Sequence, residues 1–186
     1  MAENSVAPVA RGGTFFEGGT PDAAGGLHLE GTVHAFPNTD PDDVVKRRNG
    51  GNVVCILVRN THTAAVTPGQ VVTWTAGKFG TETGAPVAAL AGPVAGIVDD
   101  HLPAAGVAVN DLYWLIVRGQ AKVTITSAIA GGDISEPLFG SATAGQVNVK
   151  ATPAGYDFTN VVGRALAASD AGTANVINVD VENSPA

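Results

Sequence analysis

Asp99-Asp100-His101 is the tightest grouping of chemistry-bearing side chains in the sequence, two carboxylates and an imidazole in consecutive positions. The triplet directly follows an apolar strand pattern and precedes Leu102-Pro103-Ala104-Ala105-Gly106, so it reads as a polar turn at a strand end and not as a catalytic cluster. The other histidines, His28, His34 and His62, show no spacing typical of metal ligands on one element. Zinc needs three or four convergent N, S or O donors, and the sequence offers His28 and His34 only as two residues of an extended stretch. Asp40-Pro41-Asp42-Asp43 is acidic, but it lacks the alternating oxygen ligands and turn glycine of a calcium loop, which leaves a weak surface cation site as its only metal reading. No metal and no cofactor are expected.

Nucleophilic catalysis would need Ser, Cys or Thr presented beside a base. No G-x-S-x-G elbow occurs, and Gly140-Ser141 sits in a Ser/Ala/Gly loop. Gly12-Gly13, Gly18-Gly19 and Gly131-Gly132 are not followed by Gly-Lys-Ser/Thr or by a helical pattern, so no phosphate cradle is expected. Trp74, Tyr113 and Trp114 could form a carbohydrate platform, although large aromatics in a β domain more commonly serve as core or subunit contacts. Cys55 lies in the apolar run Val53-Val54-Cys55-Ile56-Leu57-Val58 and reads as a buried, inert thiol; a single cysteine cannot form an intrachain disulfide. Taken together, these residues point away from an enzyme and toward a protein whose product is a surface.

The elements that would carry such a surface are strands and tight turns. A turn followed by a burst of Val and Ile recurs as Pro68-Gly69-Gln70-Val71-Val72, Asn110-Asp111-Leu112-Tyr113-Trp114-Leu115 and Ala144-Gly145-Gln146-Val147-Asn148-Val149. With 24 Gly, 11 Pro and 5% aromatics in 186 residues, the composition favours short strands over helical bundles. The pattern predicts strands at 53–59, 70–75, 93–99, 112–118, 121–126, 146–150, 161–166 and 174–181. Ala121, Val123 and Ile125 alternate with Lys122, Thr124 and Thr126, and Ile177, Val179 and Val181 alternate with polar residues, so those two strands should have one wet face. Residues 53–58 and 112–117 are apolar throughout and should lie centrally or beneath another layer. Gly92-Pro93-Val94-Ala95-Gly96-Ile97-Val98 and Asn160-Val161-Val162-Gly163-Arg164-Ala165-Leu166 echo each other, each with a mid-strand glycine that marks a bulge, bend or close backbone approach. The expected fold is all-β, a compact, internally repetitive, bent sheet forming a small barrel or sandwich.

Residues 1–50 differ from the rest and are expected to form an extended N-terminal arm ahead of a β domain at 51–186. Arg11 to Gly31 is Gly-rich and gives too little apolar area to offset the entropy of ordering. Phe15 and Phe16 would each gain about 1.5–3 kcal/mol on full burial, so they are expected to dock on this chain's core or on a neighbour; Phe15, Phe16, Leu27 and Phe36 are the candidate inter-subunit contacts. Residues 40–50 support two readings. A short helix would have an Asp cap, Pro at the first position and bases late, and it carries more signals than the alternative, a hairpin pairing Val44-Val45 with Val53-Val54 across Asn49-Gly50-Gly51-Asn52.

The net charge of −7 argues against nucleic acid as a partner, because phosphate binding requires clustered Lys and Arg. Met1-Ala2-Glu3-Asn4-Ser5 lacks the basic start and apolar segment of a secretory signal. No apolar stretch approaches the roughly 18 residues of a membrane span, and a soluble protein without a membrane partner is expected.

Three runs carry a family resemblance: Arg59-Asn60-Thr61-His62-Thr63-Ala64-Ala65-Val66-Thr67-Pro68-Gly69-Gln70-Val71-Val72, then Gly92-Pro93-Val94-Ala95-Gly96-Ile97-Val98, then Val117-Arg118-Gly119-Gln120-Ala121-Lys122-Val123. The order of a Pro-Gly-Gln-Val-Val strand start, a Val-x-Gly-Ile strand, a loop and a strand ending near Arg-Gly-x-Ala resembles the β-rich decoration, or cement, proteins of tailed bacteriophage capsids. The likeness covers roughly residues 53–182 and leaves the arm outside it. It implies a non-enzymatic virion protein on the capsid surface, synthesised in the host cytoplasm and commonly trimeric. Its partners would be the major capsid protein, whose neighbouring subunits it clamps, and further copies of itself. A carbohydrate- or receptor-binding β module, as in a head fibre or tail component, is the alternative.

Overall fold

The computed structural model describes residues 29–40, 43–86, 93–141, 143–149, 161–172 and 174–180. The described residues are almost entirely β, with one 3-10 turn at Gly131–Asp133 and no α-helix. The strands are β1 (Val33–Asp40), β2 (Asp43–Asn60), β3 (Val71–Trp74), β4 (Glu82–Pro86), β5 (Val94–Val98), β6 (Leu112–Thr124), β7 (Pro137–Gly140), β8 (Val147–Val149), β9 (Val161–Ala165) and β10 (Ala174–Asp180). They form one sheet in the order β1-β2-β4-β3-β5-β6-β10-β9-β7-β8, bent but not closed into a barrel as a whole. The bend brings β2 beside β6 as well as β4, with Leu57 opposite Trp114.

Bending buries both faces of the central strands, which is why their sequences are apolar at successive positions. Along β2 and β6, Ile56, Val58, Tyr113 and Leu115 point into one buried cluster with Val72, Trp74, Ala95 and Val98. The alternate residues Cys55, Leu57, Leu112, Trp114 and Ile116 point into a second cluster, covered by Val123, Leu138, Val162, Ala165 and Ile177 of the C-terminal strands. The predicted one-sided strand behaves as expected: Ala121, Val123 and Ile125 are fully buried, while Lys122 and Thr124 are half-exposed.

The same unit is built twice. In the first copy β3 pairs with β4 and β5, β5 pairs with β6, and the register slips by one residue between Val72↔Gly96 and Thr73↔Val94. In the second, β7 pairs with β8 and β9, β9 pairs with β10, and the same slip falls between Leu138↔Gly163 and Phe139↔Val161. The turns preceding β3 and β7 also match. Gly69 N donates to Val98 O and Val98 N to Gln70 O, both at 2.9 Å; Ser135 N donates to Ala165 O at 2.8 Å and Ala165 N to Glu136 O at 3.3 Å. The bridge Val66↔Val107 recurs as Ile129↔Ser169, and the parallel pairing Asn60↔Thr83 recurs as Ile125↔Val147. Strand β6 serves both copies, its first part pairing with β2 and its second with β10. The echo of the two glycine-centred strands is therefore an internal duplication. Gly96 marks a close approach, since a Cβ there would sit 2.4 Å from Ile116 O.

Three expectations are corrected. Residues 43–50 form neither a helix nor a hairpin with 53–54, but the first part of the long strand β2. That strand pairs with β1 through Thr39↔Arg47 and Asp40↔Asp43, and a partner strand outweighs the local capping signals of a short helix. Residues 33–40 and 43–50, assigned to the arm, belong to the sheet; residues 1–28 lie outside the described residues. The strands predicted at 112–118 and 121–126 are one continuous strand that passes through Gly119 at φ 105.

Candidate functional site

The chemistry-bearing triplet sits where β5 ends. Asp99 is fully buried, its Oδ1 accepts the His101 backbone N–H at 3.1 Å, and Leu102 N donates to Asp99 O at 3.2 Å, which closes the predicted polar turn. The imidazole is held at both nitrogens: Nδ1 lies 3.2 Å from Asp99 Oδ1 and 3.4 Å from Asp100 Oδ1, while Nε2 lies 3.2 Å from Thr39 Oγ1. An ionised carboxylate only accepts, so Nδ1 carries a proton and donates to it, while the Thr39 hydroxyl, able to donate or accept, completes the contact at Nε2. The ligand-type atoms lie within 4.8 Å of one another, the only such group among the described residues, and the geometry makes it a brace that ties the loop after β5 to β1.

The carbohydrate platform does not assemble. Tyr113 and Trp114 are buried at 0% and 1% exposure and Trp74 at 7%, with Tyr113 and Trp114 on opposite faces of β6. Burial pushes the Tyr113 phenol well above its ordinary range, and its hydroxyl meets Thr83 Oγ1 at 2.8 Å. Phe36, a candidate inter-subunit contact, is 4% exposed and packs edge-on against Trp114 with ring centroids 5.2 Å apart, so its own chain's core occupies it. Phe15, Phe16 and Leu27 lie outside the described residues, as does His28. His34 stacks edge-on against Phe36, and the His62 backbone N–H donates to Asn60 Oδ1. Asp40 Oδ1 lies 3.3 Å from Lys122 Nζ; Pro41 and Asp42 lie outside the described residues. Cys55 is fully buried, and Ser141 Oγ is bonded to Thr126 Oγ1 and accepts the Thr143 backbone N–H.

The root of the N-terminal segment is firmly seated. Gly31 N donates to Leu57 O and Leu57 N to Thr32 O, both at 2.8 Å. Arg59, 4% exposed, donates from Nε and Nη2 to Glu30 Oε1 and from Nη1 to Asn110 O at 2.6 Å. This buried pair ties Glu30 to β2.

Among the described residues, the exposed large apolar side chains lie in turns or at strand ends. The exposed large apolar residues are Val33 at 60%, Phe79 at 50%, Ile134 at 41%, and Val109 and Leu166 at 38% each. Phe79 stands in the turn between β3 and β4 beside Lys78, and Ile134 in the turn before β7 between Asp133 and Ser135. Sequence reading passed over both. The available signal was a large apolar residue inside a polar, glycine-containing turn, where it cannot reach the core.

No family model matches the chain, and no curated protein matches it. Among solved structures it is similar to the N base of the head fibre gp8.5 of bacteriophage phi29, at 15% identity over 80% of this chain and 94% of that chain, with a TM-score of 0.38. At that distance the functional reading rests on this chain's own residues.

Proposed function

We propose that this protein is a structural, non-enzymatic component of a phage virion that decorates the capsid surface and stabilises the shell by clamping neighbouring major capsid protein subunits. The observation that carries the reading is the run from Arg59 to Val72, with its continuations at 92–98 and 117–123, which resembles capsid decoration proteins. Two features of the chain support it. The residues with catalytic potential are engaged in holding the fold, His101 to Asp99 and Thr39, and Ser141 to Thr126. The sequence ahead of the buried Glu30–Arg59 pair carries Phe15-Phe16, apolar residues that a clamp on a neighbouring subunit would use.

The test compares particles with and without the protein. Stripped particles should leak their contents at lower temperature and under milder osmotic shock than decorated ones, while assembly of the bare shell proceeds. Equal tolerance of both particles would refute the stabilising role. Residues 1–28 should be cut by protease faster in isolated protein than on the particle, and equal rates would remove the arm from the clamp.

A further inference from the structure

Partway along the β1–β2 ribbon, strand β2 carries residues that β1 does not match. From Pro37↔Asn52 to Thr39↔Arg47, β1 advances by two residues and β2 by five, so β2 has three residues more than its partner there and bulges. The bulge is Arg48-Asn49-Gly50-Gly51. Among the described pairings no residue is registered opposite these four, whereas every residue from Val53 to Ile56 has a partner in β1. Asn38, the single β1 residue between the two pairs, is fully buried. Its Nδ2 donates to Gln120 O at 3.2 Å and its Oδ1 has no hydrogen-bond partner, so its side chain makes no tie to the bulge. Gly51 holds φ 81, is exposed, and has no atom within 4 Å of the place a Cβ would occupy; Asn52 beyond it is exposed as well.

The residues of this bulge have a reactivity of their own. In any asparagine the side-chain amide carbon can be reached by the backbone nitrogen of the next residue, and their bonding closes a five-membered ring, a reaction favoured by proximity within one chain. Two restraints ordinarily oppose it. A branched side chain on the following residue crowds the approach, and a strand ladder holds the backbone extended with its N–H groups engaged. Asn52, Asn148 and Asn178 lie in strands and each precedes Val, so both restraints act on them. Neither acts in full on Asn49. Gly50 has no Cβ and wide backbone freedom, and the bulge lies outside the register of the ladder. No other asparagine of the chain is followed by glycine.

We propose that Asn49 is a self-modification site, at which the chain converts its own asparagine to aspartate and isoaspartate with water as the only co-reactant. Gly50 N, on losing its proton, bonds to Asn49 Cγ; the Cγ–Nδ2 bond breaks and ammonia leaves with that proton, giving a succinimide. Water then opens the ring. Cleavage at Cγ gives aspartate, and cleavage at the Asn49 main-chain carbonyl gives isoaspartate, in which the backbone runs through the former side chain. Either product adds a carboxylate that is ionised at neutral pH, directly after the basic run Lys46-Arg47-Arg48. The main chain gains a methylene in the isoaspartate alone, and the bulge takes up that length while the pairs on either side keep their register.

The experiment uses the full-length protein, incubated at neutral and at mildly alkaline pH and followed by peptide mass mapping and by enzymatic methylation of isoaspartate with a labelled methyl donor. Conversion should be faster at Asn49 than at any other asparagine and should accelerate as pH rises, because the attacking nitrogen must lose its proton. Gly50→Ala should slow it at least several-fold, and Asn49→Gln should abolish the signal from this peptide. Melting curves that match wild type show that neither substitution acts through the fold. Asn49 left intact over the time in which a free peptide spanning residues 46–53 is converted would overturn the proposal, since the strand would then be holding it. Equal rates in wild type and Gly50→Ala, or faster conversion at another asparagine, would overturn it too. No particle enters the measurement, so its failure would leave the proposed role on the capsid standing.

Discussion

Ser135 should be a poor residue for its position, and replacing it with glycine should stabilise the protein. Its φ of 75 matches that of Gly69, φ 76, at the corresponding place in the first copy. A left-handed conformation costs a non-glycine residue about 1–2 kcal/mol, whereas the added freedom of glycine in the unfolded chain costs about 0.4–1 kcal/mol. The side chain is exposed, so little packing is lost. Ser135→Gly should therefore gain about 0.5–1 kcal/mol, which for a chain of this length raises Tm by roughly 1–4 °C. The mirror substitution tests the same reasoning. A Cβ at Gly69 would meet its nearest atom, Lys122 O, at an ordinary 3.5 Å, so Gly69→Ala carries backbone strain without a clash and should lose about 0.5–1 kcal/mol. Calorimetry on both variants decides the matter. If Ser135→Gly leaves Tm unchanged or lowers it, the second turn does not hold the conformation of the first, and the duplication is less regular than its hydrogen bonds imply.

Gly96→Ala should cost about 3 kcal/mol or more by denaturant titration, because the clash at 2.4 Å is with backbone oxygen of Ile116 and cannot be relieved by a rotamer change. Ile116→Ala and Val123→Ala, both at fully buried positions, should cost about 2–5 and about 1–3 kcal/mol respectively; an unchanged midpoint would place those strands outside the core. Tyr113 gives a pH signature: its folded pKa is raised above the unfolded value of about 10, so its contribution is complete below that pH and declines as pH rises further. Tyr113→Phe should lose about 1 kcal/mol at neutral pH with the Thr83 bond, yet show a shallower alkaline decline than wild type in a melting series; parallel curves would contradict this.

Where the sequence pattern matched the structure, one residue type had one dominant cause. Runs such as Val53-Val54-Cys55-Ile56-Leu57-Val58 announce strands buried on both faces, and Pro68-Gly69 announces a turn that needs positive φ. Gly96 and Gly163 were legible as bulges because a mid-strand glycine has few other uses. Strands β1, β4 and β7 were not legible. Thr-Glu-Thr-Gly-Ala-Pro and Glu-Pro-Leu-Phe-Gly are strands only because Trp74 and Arg164 supply partners from elsewhere in the chain, and no local pattern encodes that. Residues 40–50 failed for the same reason, since capping signals were weighed without the competing pairing to Thr39. Of the candidate contact residues, Phe36 could not be told from a core residue by type alone; alternation with Asn38 on the buried side of β1 is a strand-level fact.

The two copies of the repeated unit hold their interiors together differently. In the first copy a buried polar network forms: Asn60 Nδ2 donates to Ala64, Val107 and Ala108 carbonyls, and Thr83 bridges Arg59 O and Tyr113. Such networks resist substitution, because removing one member leaves other buried polar atoms unsatisfied. The second copy places Ile125 where the first has Asn60 and Val147 where it has Thr83, so its interior relies on apolar packing, which tolerates change more readily. The loop over 99–106 lays Leu102 into the first copy's interior and brings Gly106 against Val66 O, whereas residues 166–168 of the second copy are exposed among the described residues. Substitutions at Asp133, Ile134 and Leu166 therefore lie outside the network that holds β2, β4 and β6 together. The first unit is thus held by a polar network and the second by apolar packing, two ways of stabilising the same strand arrangement.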